Sequence, residues 1–304
     1  MLYSYASMRR ILENNVSSAH HSGSGISLYA PNRQTSALVI ASPHSGRCYS
    51  PEFLRMVRLG MTALRRSEDC FVDELFSDAR GLGTPFLCAL FPRCFVDVNR
   101  SPAELDRKMF TGVLPFYSDT KSERVISGMG VIPRLAASGA EIYPQLLPIS
   151  IARQRLLGHY FPYHKTLRQL LMETREQFGH AILLDCHSMP SKLFMGRSEP
   201  TFDIVLGDRH GKSCSSYIID KVETVLVGQG YTVGRNTPYA GGFTSEYYGH
   251  PKHGIDVLQI EISRALYMDE RALRRSPGMP MVRANMASLI ENLGQIQSFT
   301  QAAE

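Results

Sequence analysis

Four stretches of the chain set polar, chemistry-bearing residues against runs of apolar ones. Ala37-Leu-Val-Ile-Ala41 runs into Ser42-Pro43-His44-Ser45-Gly46, and Ala181-Ile-Leu-Leu184 runs into Asp185-Cys186-His187-Ser188. Phe95 to Val98 is followed by Asn99-Arg100, and Glu261 stands between Ile260 and Ile262. Two imidazoles and one carboxylate, with water in the fourth position, make a catalytic zinc site. His44 and His187 offer the imidazoles. Asp69 is the first choice for the carboxylate, with Asp73 and Glu74 as rivals. Asp69 also reads as a plain helix N-cap, a common role for Asp, and His44 as a turn histidine bonded to main chain. Asp185 is placed to accept the other ring N–H of a metal-bound imidazole.

Glu261 raises a separate question. A carboxylate flanked by isoleucines in a buried strand is costly unless it is paired or functional. Burial would move its pKa toward the range useful to a general base. The bland alternative is an alternation residue facing solvent on an edge strand. Arg100 offers a bidentate fork for a substrate carboxylate, or else a structural pair with Asp97 or Asp106.

The elements that must position these residues alternate between strand and helix. Short apolar runs at 37–41, 86–91, 95–98, 181–185, 203–206 and 256–262 read as strands. Residues 51–66 are helix-compatible. A helix is expected to open at Asp69, with Phe71, Leu75, Ala79 and Leu82 at helical spacing and Gly81 and Gly83 to end it. Further helices are expected over 163–178, stopped by Gly179, over 213–228 and over 280–296. The long irregular stretch 101–142 suggests loops covering a site. Alternating elements of this kind imply an α/β fold with a mostly parallel or mixed central sheet and helices on both faces. In such sheets ligands bind at the carboxyl ends of the strands. Residues 1–32, with His20 and His21 in a Ser/Asn/Gly-rich stretch, read as an N-terminal arm or flexible extension. Residues 33–304 read as a single catalytic domain.

Bulk properties exclude several classes. With 33 basic and 28 acidic residues among 304, the net charge is +5 and the basic residues are scattered. Nucleic-acid binding is therefore not expected, while a small anionic substrate is compatible with a mild positive field. No apolar run reaches the ~18 residues of a membrane span, and the N-terminus lacks the apolar core of a secretory signal. The six cysteines show no CxxC spacing and read as reduced thiols of a cytoplasmic protein. No Gly-x-Ser-x-Gly elbow, P-loop, Rossmann fingerprint or His-Glu-x-x-His helix occurs.

With these residues assembled, the chain resembles the N-formylglutamate amidohydrolase family, which is similar, more distantly, to the zinc carboxypeptidases and aspartoacylases. The resemblance rests on Ser-Pro-His44-Ser-Gly, Asp69-Cys-Phe-Val-Asp-Glu-Leu-Phe76, Phe-Pro-Arg93-Cys-Phe-Val-Asp-Val-Asn99-Arg100 and Leu-Leu-Asp185-Cys-His187-Ser. Pro-Tyr239-Ala-Gly241-Gly242-Phe-Thr244 and Gln-Ile-Glu261-Ile follow in the expected order, so that the match spans about residues 37 to 270.

The resemblance implies a zinc-carboxypeptidase-like (phosphorylase/hydrolase-like) fold and one Zn²⁺ per chain on His44, Asp69 and His187. It implies Glu261 as the catalytic glutamate and Asn99-Arg100 as the holder of a substrate carboxylate. Arg93 or Arg153 is then placed to stabilise an oxyanion, and Tyr239, Gly241, Gly242 and Thr244 to line the substrate. The implied reaction is hydrolysis of N-formyl-L-glutamate to formate and L-glutamate, as in histidine degradation. Another N-acyl amino acid or small peptide is the alternative substrate, and a non-catalytic binding protein is the alternative class. Where the family often has a basic residue before Gly-Gly and an Arg-His pair after it, this chain has Ala240, Glu246 and Tyr247.

Overall fold

The computed structural model describes residues 25–191 and 202–296. Backbone contacts group the chain into two compact units where a single domain is expected. One comprises Met1–Ile26, Gly46–Glu68 and Ala89–Leu167, and the other Ser27–Ser45, Asp69–Cys88 and Arg168–Glu304. Each unit is assembled from separated stretches of chain, so no linker between them is readable in the sequence. Of the expected N-terminal arm, residues 1–24, including His20 and His21, lie outside the described residues. Ile26–Tyr29 is not arm but the first strand, β1, at one edge of the sheet.

The second unit carries the sheet. Its strands are β1, β2 (Leu38–Ser42), β3 (Phe86–Ala89), β4 (Ala181–Met189), β5 (Ile204–Gly207), β6 (Val233–Arg235) and β7 (Ile255–Ser263). Their order is β1-β3-β2-β4-β7-β5-β6. β2 runs parallel to β3 and β4, β4 to β7, and β5 to β6, while β5 is antiparallel to β7. The sheet is thus mixed and helices surround it, as the alternating pattern predicts. β2, β4 and β7 are buried along their whole length, which accounts for the apolar runs Leu38–Ala41 and Ala181–Leu184.

One face of the sheet builds the core. Leu184 and Cys186 of β4 and Leu258, Ile260 and Ile262 of β7 join α8 (Met279–Gly294) and α6 (Ser216–Gly228) in a single cluster. The α8 residues Met279, Val282, Met286, Leu289 and Leu293 recur at helical spacing and are all buried. Each such side chain contributes roughly 1.5–3 kcal/mol of transfer free energy. Because side chains alternate along a strand, the residues between these core positions point to the opposite face. Those residues are Asp185, His187, Gln259 and Glu261. β4 and β7 pair in parallel register with Asp185 opposite Gln259 and His187 opposite Glu261.

Several expected elements differ. The strand expected at 181–185 continues to Met189, so Asp185 and His187 lie within it; alternation lets Cys186 stay in the core between them. Residues 51–66 form two short helices, α1 (Pro51–Met56) and α2 (Met61–Arg65), because Val57 is extended and Gly60 starts the second. The helix expected from Asp69 is only α3 (Val72–Leu75) followed by a 3-10 turn over Ser77–Arg80. It is entered through Phe71, whose left-handed φ of 65° breaks the run.

In the first unit, residues 95–98 are not a strand. The Asn99 N–H donates to Asp97 Oδ1 at 2.8 Å and the Phe95 N–H to Pro92 O at 2.9 Å. These local bonds replace a ladder. The helix expected at 163–178 is α5 (Phe161–Phe178), preceded by α4 (Ile149–Arg155) and a π turn over Leu156–Tyr160.

Candidate metal centre

His44, Asp69 and His187 converge in the second unit. His44 sits in the turn that leaves β2, where the Ser42 and Ser45 hydroxyls lie 2.8 Å apart. The Asp69 N–H donates to the His44 carbonyl at 3.0 Å, which fastens the two segments by their main chains. Asp69 Oδ2 lies 3.0 Å from His187 Nδ1 and 3.4 Å from His44 Nδ1. The imidazole rings meet edge to face with centroids 4.8 Å apart. Ligand-capable atoms of the three residues all fall within 4.8 Å of one another. All three residues are 1–2% exposed.

The donor set fits a zinc-type ion. Bonds of ~2.0–2.1 Å in a tetrahedron give ligand separations of roughly 3.3 Å, close to the two measured here. The alternative ligands fare worse. Glu74 accepts from Nε and Nη2 of Arg275, each at 2.7 Å, and Asp73 is outside the clustered group. Nor does the Asp69 carboxylate cap a helix, since the cap position of α3 is Phe71 and no side chain bonds there.

The surroundings orient these groups. His187 Nε2 is 3.1 Å from Asp185 Oδ2, leaving Nδ1 toward Asp69. Burial pulls the His187 pKa down, while the Asp185 carboxylate and its hydrogen bond push it up. With the Asp69 bond and the charge of Glu261 they hold the imidazole well above its usual range. Arg264, at the end of β7, donates Nη2 to Asp69 Oδ1 at 3.2 Å and Nε to Ser188 Oγ at 3.1 Å. Composition and periodicity do not single Arg264 out; only its place immediately after the end of β7 marks it.

Glu261 is buried and faces the same side as His187. Gln259 donates Nε2 to Glu261 Oε1 at 2.9 Å, and its own Oε1 accepts from the Gly242 N–H at 2.9 Å. The Gly-Gly turn is therefore tied to the carboxylate through one side chain. The turn lies against the end of β5, because a Cβ on Gly207 would meet the Ala240 carbonyl carbon at 2.8 Å. Gly241 has φ 122° and a Cβ there would crowd Ser245 and Arg209 at 3.0 Å. Thr244 is fully buried and Tyr239 half-buried. Glu246 pairs with Arg209 at 3.1 Å. The strand reading names Gln259 only in its alternation with Val257 and Glu261 and gives it no role, although that alternation places it on the face of Glu261.

Arg93, Asn99, Arg100 and Arg153 belong to the first unit. Arg93 Nη2 donates to Asp97 at 3.0 Å. Arg100 donates Nε to Met129 O and Nη1 to Asn99 O, at 3.1 and 2.9 Å, and lies 4.0 Å from Asp97. Burial lowers its pKa. Asp106 pairs with Arg134 instead, and Arg153 is exposed. His164 packs as a buried residue against Val98 O at 2.9 Å, and burial pushes its pKa down to about 3.

The model of the N-formylglutamate amidohydrolase family matches residues 36–268. The chain belongs to this family. It is accordingly a hydrolase acting on an amide bond. Among its relatives are the N-formylglutamate deformylases of Pseudomonas aeruginosa and Pseudomonas putida. The first is 30% identical over 267 residues, covering 84% of this chain and 92% of the relative. The second is 31% identical over 242 residues, covering 77% and 82%. The crystal structure of the N-formylglutamate amidohydrolase from Ralstonia eutropha JMP134 superposes with a TM-score of 0.84 at 32% identity. It covers 90% of this chain and 98% of that one. A gene product of Agrobacterium tumefaciens shares the fold, with a TM-score of 0.62 at 16% identity.

Proposed function

We propose that this family member is a zinc-dependent deformylase that hydrolyses N-formyl-L-glutamate to formate and L-glutamate, a cytoplasmic enzyme of histidine degradation. The observation that carries the reading is the buried His44–Asp69–His187 cluster facing Glu261, in a chain 30% identical to a deformylase along 92% of that relative. A zinc ion on the three ligands supplies Lewis acidity toward the formyl carbonyl and a water that is nucleophilic near neutral pH. Glu261 takes the proton of the attacking water and returns it to the departing amine nitrogen. Gln259 fixes one oxygen of that carboxylate. Asp185 holds the His187 tautomer, and Arg264 holds the second oxygen of Asp69 so that one oxygen is offered to the ion. For the amino-acid end, the reading keeps Asn99 and Arg100 as the carboxylate holder on the sequence resemblance.

A second substrate reading has a specific observation behind it. Ala240, Glu246 and Tyr247 replace a basic residue and an Arg-His pair, and Glu246 is occupied by Arg209. Without the basic residue and the Arg-His pair, a second acidic group on the substrate loses those partners, so an N-acyl amino acid with a neutral side chain is the competing assignment. A panel of formyl-, acetyl- and succinyl-amino acids, run beside a metal determination on the purified protein, decides. The highest kcat/KM on N-formyl-L-glutamate supports the first assignment, and a preference for a neutral side chain supports the second. Metal-free protein with full turnover on any of them would remove the zinc reading.

A further inference from the structure

The first unit contains a cavity of about 210 Å³ lined by none of the metal-centre residues. Cavities of ~150 Å³ already admit a benzene ring. Phe53, Phe91 and Phe95 supply aromatic wall, and Arg155 and His159 supply polar groups. Both lie at the π turn between α4 and α5, Arg155 at its start and His159 within it. Single π turns of this kind recur at functional sites.

Arg155 is 3% exposed, yet none of the described carboxylates pairs with it. A buried cation without a counter-charge is costly. Part of the cost is offset by Nη1, which donates to Phe95 O at 2.9 Å and to the Tyr143 hydroxyl at 2.6 Å. Stacking on the Phe95 ring, 4.4 Å from its centroid, adds to this. What remains is Nε–H and the parallel Nη2–H, whose nearest described partner is Met56 Sδ at 4.0 Å. Those two donors are the fork that a carboxylate takes. His159 Nδ1 is buried with no hydrogen-bond partner among the described residues. Among the described residues the lining carries one carboxylate, Glu52, which is exposed and disfavours a ligand with a second negative charge.

We propose that this cavity is a binding site for a small monocarboxylate, its acid head on the Arg155 fork and its ring or apolar arm among Phe53, Phe91 and Phe95. The assignment is independent of the metal chemistry. Cys48 provides the readout: it lines the cavity and is exposed, whereas the other five cysteines are buried.

The test uses the full-length, metal-loaded protein. Alkylation of Cys48 by iodoacetamide is followed by peptide mass spectrometry, with phenylacetate and its neutral isostere phenylacetamide as probes. Phenylacetate should slow the alkylation at least about fivefold at saturation, with the amide at least about tenfold weaker, as expected for loss of a charge-assisted fork. Arg155→Lys, which keeps the charge and removes the fork, should weaken phenylacetate by a similar factor. Equal protection by acid and amide, or none by the acid at millimolar concentration, would overturn the proposal. If Arg155→Lys fails to fold, the comparison of the two probes on the unaltered chain still decides.

Discussion

Asp69 uses its two oxygens differently: Oδ2 faces both imidazoles, while Oδ1 accepts from Arg264. His187 divides its ring nitrogens in the same way, Nδ1 toward Asp69 and Nε2 toward Asp185. Removing the ring in His187→Ala should abolish stoichiometric metal binding, measured as bound zinc after dialysis; a variant that keeps full metal would contradict the ligand assignment. Asp185→Asn should leave a ligand in place but weaken metal affinity by roughly 10–100-fold, read by chelator competition. Glu261→Gln should keep the metal while kcat falls by about 10²–10⁴, and unchanged turnover would exclude the base role.

The sign of a pH effect follows from His187 as well. Its folded-state pKa is raised above the unfolded one, so in metal-free protein the imidazolium stabilises the fold. That stabilisation is complete below the ordinary histidine value of ~6.5 and is lost as pH rises through the raised value. The thermal midpoint of chelator-treated protein should therefore decline across that window, and His187→Ala should remove the decline. Metal competes for the same nitrogen, so the stability added by zinc should grow with pH.

At the scale of elements, β4 and β7 do most of the positioning. Their nine-residue parallel register sets His187 beside Glu261 and Asp185 beside Gln259, while Cys186 and Ile260 fill the core behind them. The Gly-Gly turn is tied to Glu261 through Gln259. Gln259→Ala should accordingly lower kcat with little change in metal content, and a loss of metal instead would mean that Gln259 supports the ligands.

These strands were legible in the sequence because apolar runs of this length mark buried parallel strands, and the strand-end rule brought His44, His187 and Glu261 together. The extension of β4 beyond Asp185, through His187 to Met189, was not, since polar residues in a run read as its end unless their partners across the sheet are known. Arg264 was hidden for a related reason: its bond to Asp69 spans 195 residues of chain. The apparent strand at 95–98 misled because its apolar pattern is overridden by Asp97 folding back on Asn99.

At the scale of the whole molecule, two contact units are built from interleaved segments, and the metal cluster lies in the sheet-bearing one. No helix among the described residues is long and apolar enough to cross a membrane. A net charge of +5 suits a small anionic substrate in bulk. The central claim, metal-dependent deformylation, is tested most directly by formate release from N-formyl-L-glutamate before and after complete metal removal. The account predicts formate and L-glutamate in equal amounts from the zinc-loaded protein, no turnover after chelation, and recovery on adding zinc back. Undiminished formate release from the metal-free protein would contradict it.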